Sequence, residues 1–303
     1  MHFKYLTVPF YNRHTSISRL HIEARKLLTV ILGVSVFLSA FTAGKLYAAD
    51  ENSTSGITNF AFASYLGTGF YTTSGQNVFV LQLPLEHVIK EKSSTEPGWL
   101  LKLPLTIGFI DFDNVDFENV PEPPRVDDVA TITFLPGIEF QYPVTPDWTL
   151  SPFADYGFAS DFNNTTNVLI TGIGVKSNLD FHFDENMLTL GNRLLYARER
   201  SRISDNDSSY SLFETGLNYR INTDTSDNDP LFVNFYYINF YYPNDLVFLE
   251  DAPNPIRVGM ENELGFTLSN ISDFLFFEKP QLGFGVRFGN DVIAYRIVFG
   301  APF

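Results

Sequence analysis

Cysteine is absent from this chain of 303 residues, and there are only 3 Met, 2 Trp and 5 His. Without a thiol there is no disulfide framework, no thiolate metal site, no Cys nucleophile and no lipid on an N-terminal Cys. Positive charge is also scarce. The 20 Lys and Arg stand against 35 Asp and Glu, a formal net charge of -15. So acidic a chain cannot neutralise many phosphates, which argues against nucleic acid as a partner. Aromatic side chains are plentiful, with 31 Phe and 15 Tyr in a hydrophobic content of 45%. That is too apolar for a disordered polymer.

Long apolar runs are missing too, with one exception. Residues 1–49 carry Lys4, Arg13, Arg19, Arg25, Lys26 and Lys45 against the single acid Glu23, so the acid excess belongs to the remainder. Leu27 to Gly44 is apolar or small throughout, follows Arg25 and Lys26, and gives way to Leu46-Tyr47-Ala48-Ala49. Basic, then apolar, then small is the order of a secretory signal peptide. Residues 1–49 are therefore expected to be a cleaved signal with a long basic lead. Residues 50–57 read as a short periplasmic segment and 58–303 as the folded domain.

Beyond residue 50 no helical period is sustained, and alternation with period two recurs about every 20 residues. Ile293, Tyr295, Ile297, Phe299, Ala301 and Phe303 fall on one face, opposite Ala294, Arg296, Val298 and Gly300. In 131–142, Ile132, Phe134, Pro136, Ile138, Phe140 and Tyr142 oppose Thr131, Thr133, Gly137, Glu139 and Gln141. In 257–268, Val258, Met260, Leu264, Phe266 and Leu268 oppose Arg257, Gly259, Glu261, Glu263, Gly265 and Thr267. A soluble sheet turns its apolar face inward. A membrane barrel inverts this, with Gly, Thr and charges in the lumen. The export signal and the aromatic strand ends select the inverted case.

The expected fold is thus all-β: a closed antiparallel transmembrane β-barrel in a bacterial outer membrane. Strands are expected near 58–70, 77–88, 98–110, 127–140, 147–158, 166–183, 187–198, 209–221, 231–242, 257–268, 280–288 and 291–303. Unbroken parity through Lys176-Ser177-Asn178 makes 166–183 one long strand. That gives twelve strands, an even number as single-chain bacterial barrels have. Phe274, Phe276 and Phe277 leave fourteen as the alternative. The longer loops at 111–126, 199–208 and 243–256 are expected on the outer side.

Three stretches carry a family resemblance: Phe134-Leu135-Pro136-Gly137-Ile138-Glu139, Trp148-Thr149-Leu150-Ser151-Pro152-Phe153, and Phe299-Gly300-Ala301-Pro302-Phe303. Together they resemble the solitary autotransporter-like barrels, translocator-type barrels without a passenger domain. The resemblance implies a twelve-stranded barrel over about 58–303. It makes Tyr295, Ile297, Phe299 and Phe303 the C-terminal signal read by the barrel-assembly machinery. The implied partners are that machinery, periplasmic chaperones, and outer-membrane lipid with lipopolysaccharide. The first strand is expected to follow the signal directly, with neither a passenger nor a linker helix.

The inward parity gathers Glu86, Lys102, Glu139, Asp155, Lys176, Asp180, Arg193, Glu214, Arg220, Glu261, Glu263, Arg287 and Arg296. Signs so evenly mixed suit paired networks, because an uncompensated charge in a narrow lumen is costly. The network either fills the barrel or lines a small-solute pore or ligand cavity. A plugged barrel acting through its outer loops is the competing reading. A barrel-embedded hydrolase comes third. His182, beside Asp180, is the one histidine with inward parity and a nearby acid, and no Ser lies at a telling spacing, so no catalytic residue is assigned. Asp111, Asp113, Asp116 and Glu118 crowd one loop but do not follow the EF-hand order. They read as a solvated acidic loop, as do Asp224, Asp227 and Asp229. No metal or cofactor is expected.

Overall fold

The computed structural model describes residues 60–73, 76–110, 129–161, 167–201, 207–223, 231–248, 256–269, 281–289 and 292–302. The expected signal 1–49, the segment 50–57, the acidic loop at 111–118, the acids at 224–229 and Phe303 lie outside the described residues.

One short helix, α1 (Phe60–Leu66), precedes fifteen strand segments. These are β1 (Gly69–Thr73), β2 (Gln76–Leu83), β3 (Glu86–Lys90), β4 (Gly98–Lys102), β5 (Leu105–Ile110), β6 (Val129–Phe134), β7 (Gly137–Thr145) and β8 (Trp148–Asp161). They continue as β9 (Asn167–Phe183), β10 (Asn186–Ser201), β11 (Asp207–Asn222), β12 (Phe232–Phe248), β13 (Ile256–Ser269), β14 (Leu282–Gly289) and β15 (Val292–Phe299). Every pairing is antiparallel. The first strand lies against the last, Gly69 facing Arg296, so the sheet closes on itself.

The fifteen segments make twelve strands, because β2 and β3, β4 and β5, and β6 and β7 are each one strand broken by a dipeptide. The breaks Pro84-Leu85, Leu103-Pro104 and Leu135-Pro136 stand side by side in neighbouring strands. They form a crease held by single backbone bonds: Leu103 to Leu85 at 2.7 Å, Leu135 to Pro104 at 3.2 Å and Tyr156 to Pro136 at 2.8 Å. Proline has no N–H to give to a ladder, so a row of prolines interrupts pairing without changing parity. β13 pairs directly with β14, Leu264 opposite Val286, so no strand intervenes and the fourteen-strand alternative is excluded.

The strand ends Thr73 and Gln76, Ile110 and Val129, Asp161 and Asn167, Ser201 and Asp207, Phe248 and Ile256, and Gly289 and Val292 share one end of the barrel, here the loop end. The turns Pro146-Asp147 and Asp184-Glu185 lie at the other, the turn end. Asp184 has φ 52°, the left-handed conformation a two-residue hairpin needs.

Large apolar side chains point outward: Ile173, Phe235, Met260 and Leu264 are each more than half exposed. Charges point inward: Glu261, Glu263 and Arg287 are at most 1% exposed. The alternation in β9–β15 follows directly from period two.

Three expectations need correction. Residues 60–66 are helical rather than part of a first strand, and β1 begins only at Gly69. Val258, expected outward, is buried beside Leu246, where a bulge between Tyr241 and Leu246 shifts the register. The last strand stops at Phe299, because Gly300 takes φ +83° and its N–H bonds Gln281. The alternation therefore does not continue through Ala301. At other ends the strands are longer than expected: β7 runs to Thr145 and β12 to Phe248.

Candidate functional site

α1 lies inside the barrel. A segment in the lumen has no neighbouring strand to pair with, and a helix satisfies its own backbone groups. In its first turn a backbone N–H without a partner inside the helix finds a wall carboxylate: Ala61 N donates to Glu199 Oε2 at 2.8 Å. At its other end Gln82 Nε2 donates to the Ser64 carbonyl at 2.8 Å. Tyr65 donates its hydroxyl to Asp155 Oδ2, also at 2.8 Å.

The helix sorts the lumen into two halves. Toward the loop end the Phe62 ring packs edge-on against Tyr210 and Tyr242, each 5.9 Å away between centroids. Around them Ile170, Leu195, Leu212 and Ile238 are buried on the inward face. The apolar side of α1 requires these inward apolar residues, so that half of the lumen departs from the expected Gly, Thr and charge lining.

Below α1 the lumen is polar. Five pairs line it, each between strands that are adjacent or next but one: Lys102 with Asp155 at 2.7 Å, Lys176 with Glu139 at 2.9 Å, Arg193 with Glu214, Arg287 with Glu261, and Arg296 with Glu263. The Arg287 group is the most enclosed. Its guanidinium sits 3.7 Å over the Phe240 ring and donates to Tyr242 Oη at 2.8 Å. Tyr236 donates to the second oxygen of Glu263 at 2.9 Å. Two glycines paired across the strands, Gly265 and Gly285, leave the room the Tyr236 ring occupies. Lys102 also lies 4.2 Å over Phe153.

Ten of the thirteen inward charges read from the sequence are thus in pairs. The remaining three are placed differently. Arg220 donates to Asn234 at 3.2 Å and lies over Phe232, with no carboxylate partner among the described residues. Asp180 accepts the Thr189 hydroxyl at 2.6 Å. Glu86 is exposed on β3 and reaches the cavity described next.

A cavity of about 810 Å³ fills the turn-end half of the lumen. Tyr65 and Gly67 form its roof, and Glu139, Lys176, Arg193, Glu214 and Arg220 are among its walls. On one side the wall itself is short. β1 has only five residues, so Val298 and Phe299 of β15 and all of β3 have no partner strand between them. Thr68 bridges the top of this seam. Its hydroxyl both accepts from and donates to the Gln82 backbone at 2.9 Å, while its carbonyl takes the Ile297 N–H at 3.1 Å. The next residue along that edge, Pro84, has no N–H. A proline there removes one donor from the edge and makes it a poorer template for a stray strand.

His182 faces Asp147 at 3.5 Å near the turn end and is largely exposed, while Asp180 is engaged by Thr189 instead. His87 is exposed on β3. Among the described residues no three His, Asp or Glu side chains are grouped to hold a metal ion. Of the C-terminal residues singled out in the sequence, Tyr295 and Ile297 face outward, 38% and 42% exposed. The residues that sequence reasoning missed are those of α1. Their one signal was the run Phe60-Ala61-Phe62-Ala63, helix-prone but too short to show a period.

No protein-family model matches the chain, and no curated protein matches it. Among solved structures it is similar to the crystal structure of the beta domain of the Bordetella autotransporter BrkA. The identity is 10% and the TM-score 0.44, over 78% of this chain and 96% of that one.

Proposed function

We propose that the protein is an integral outer-membrane β-barrel closed by its own lumenal helix, a ligand-binding barrel rather than a through-pore. The membrane reading is supported by the inverted faces. A belt of exposed Phe, Tyr, Leu and Ile around a charged interior is stable in hydrocarbon and unstable in water. The reading as a closed barrel rests on one observation above all: α1 occupies the lumen, with Phe62 wedged between Tyr210 and Tyr242 and both ends bonded to the wall. The cavity beneath it falls within the range of small-molecule sites, roughly 300–1,000 Å³. Its lining carries both signs of charge, which suits a polar or zwitterionic solute better than a simple ion.

The test is conductance of the purified protein in a planar bilayer. The unmodified chain is expected to insert and stay silent, and Phe62→Ala with Tyr65→Ala is expected to produce step openings. Stable step conductance of the unmodified chain would overturn the closed reading and restore the pore.

A further inference from the structure

The cavity beneath α1 is apolar on one side. Pro84 and Leu85 at the crease, Leu100 on β4, and Val298, Phe299 and Pro302 on and after β15 gather its apolar lining at the seam. Ile297 faces outward and Val298 inward, yet both line it. A cavity that touches both faces of one strand runs through the wall at that strand's edge. Adjacent strands lie about 4.8 Å apart, so the missing length of β1 leaves a slot about one extended chain wide. All five residues of β3, on the other bank, are exposed. Outside the slot Ile297 and Phe284 on one bank and Ile89 on the other are exposed apolar side chains.

The bank at the crease offers little backbone to a peptide strand. Pro84 has no N–H, and Leu85 spends its N–H on Leu83 at 2.9 Å and its carbonyl on Leu103 at 2.7 Å. A hydrocarbon chain asks for no such partners.

The wall opposite the seam is polar. β10 lies across from β1, six strands away in either direction. There Asp180, Thr189 and Asn218 are partners in register across β9, β10 and β11, and Arg220 follows on β11. All four line the cavity. Asp180 and Arg220 are charges that the five ion pairs leave over. Among the described residues the Asp180 carboxylate is met only by the Thr189 hydroxyl, and the Arg220 guanidinium only by Asn234 and the Phe232 ring. Asn218 is 7% exposed, and its Oδ1 has no hydrogen-bond partner among the described residues. A buried amide oxygen left so is costly unless a ligand or water meets it. Asp180 and Arg220 stand on strands two apart, about 10 Å in the sheet. That is too far for them to pair, and close enough to hold both ends of one small zwitterion.

We propose that the cavity holds an amphiphile whose zwitterionic head, an anionic group and an ammonium, meets Arg220 and Asp180, and whose hydrocarbon tail leaves through the seam between β15 and β3. The proposal rests on the ligand-binding membrane barrel proposed above and names the class of its ligand.

The test titrates the purified protein, in a nonionic detergent, with lysophosphatidylethanolamine and with glycerophosphoethanolamine, which has the same head and no tail. The lysolipid should bind saturably, and the tailless head at least about tenfold more weakly. Arg220→Gln and Asp180→Asn should each weaken the lysolipid about tenfold. In the unmodified protein a photoreactive group on the lysolipid's tail should mark residues 84–86 and 297–302 in preference to the rest of the belt. Even labelling around the belt would overturn the seam as the tail's exit. Equal binding of the tailless head would replace the amphiphile by a soluble zwitterion, and unchanged affinity in both variants would remove the assigned head site. Each of these sinks the proposal and leaves the ligand-binding reading standing. Failure of both probes to bind would instead sink that reading, and the proposal with it.

Discussion

Tyr65 on α1 and Asp155 on β8 are joined by a hydrogen bond of 2.8 Å, while the other oxygen of the same carboxylate holds Lys102 at 2.7 Å. One wall residue thus serves both the charge network and the helix that closes the lumen. The lumen charges do not merely line a passage: through Asp155 they fix where the helix sits. Arg193 extends the link, with its guanidinium 5.9 Å over the Tyr65 ring and its charge on Glu214.

Tyr65→Phe keeps the ring and removes only the hydroxyl. A hydrogen bond to a charged acceptor contributes about 1.5–3 kcal/mol, and Asp155 retains Lys102, so the lower part of that range is expected. Denaturant unfolding should show the loss, and brief conductance openings should appear against the silent parent. An unchanged midpoint would mean that Phe62 and the bonds at Ala61 and Ser64 hold the helix without the Tyr65 hydroxyl.

Breaking the enclosed pair should cost more. Glu261→Gln leaves Arg287, 1% exposed, without its carboxylate. Removing one partner of a buried pair typically destabilises by about 3–5 kcal/mol, whereas removing both is often close to neutral. The double variant Glu261→Gln with Arg287→Met should therefore unfold nearer the parent than the single one does. A double variant as unstable as the sum of the two singles would show that the charges act independently.

Period two made the wall legible. In β13, Glu261 and Glu263 against Met260 and Leu264 needed only alternation, and the continuous parity of 167–183 revealed its single long strand. The helix was not legible, because Phe60-Ala61-Phe62-Ala63-Ser64-Tyr65-Leu66 alternates as well as it spirals, and over seven residues the two periods cannot be told apart. What decides it is tertiary: residues in the lumen have no strand to pair with. The inward Ile170 and Ile238 were hidden for the same reason, since Phe62, which packs against their cluster, was assigned to the wall. The prolines at 84, 104 and 136 were visible, but their alignment into one crease depends on register, which no single strand contains.

Gly67 and Gly300 have nearly the same backbone, φ +81° and +83°, but different surroundings. A Cβ on Gly67 would meet the guanidinium of Arg296, while one on Gly300 meets nothing within 4 Å. Gly300→Ala should cost only the strain of a left-handed alanine, about 1 kcal/mol. Gly67→Ala should cost that and also displace Arg296 from Glu263. Parallel unfolding titrations test the difference, and equal losses would mean that the Arg296 side chain moves aside freely.

Leu264 tests which way the faces point. It is 52% exposed and stands in register between Tyr237 and Val286, while its neighbour Glu263 is fully enclosed. If the outward belt meets hydrocarbon, Leu264→Arg places a charge against lipid, at a cost of about 2–4 kcal/mol near the midplane. Refolding titrations into phospholipid vesicles should show that loss, and it should shrink in detergent, where the belt is thinner and wetter. A substitution at one outward position leaves the lumen pairs and α1 untouched, so the measured cost reports the solvent around the barrel. A cost near zero in vesicles would mean that this face meets water or another protein rather than lipid.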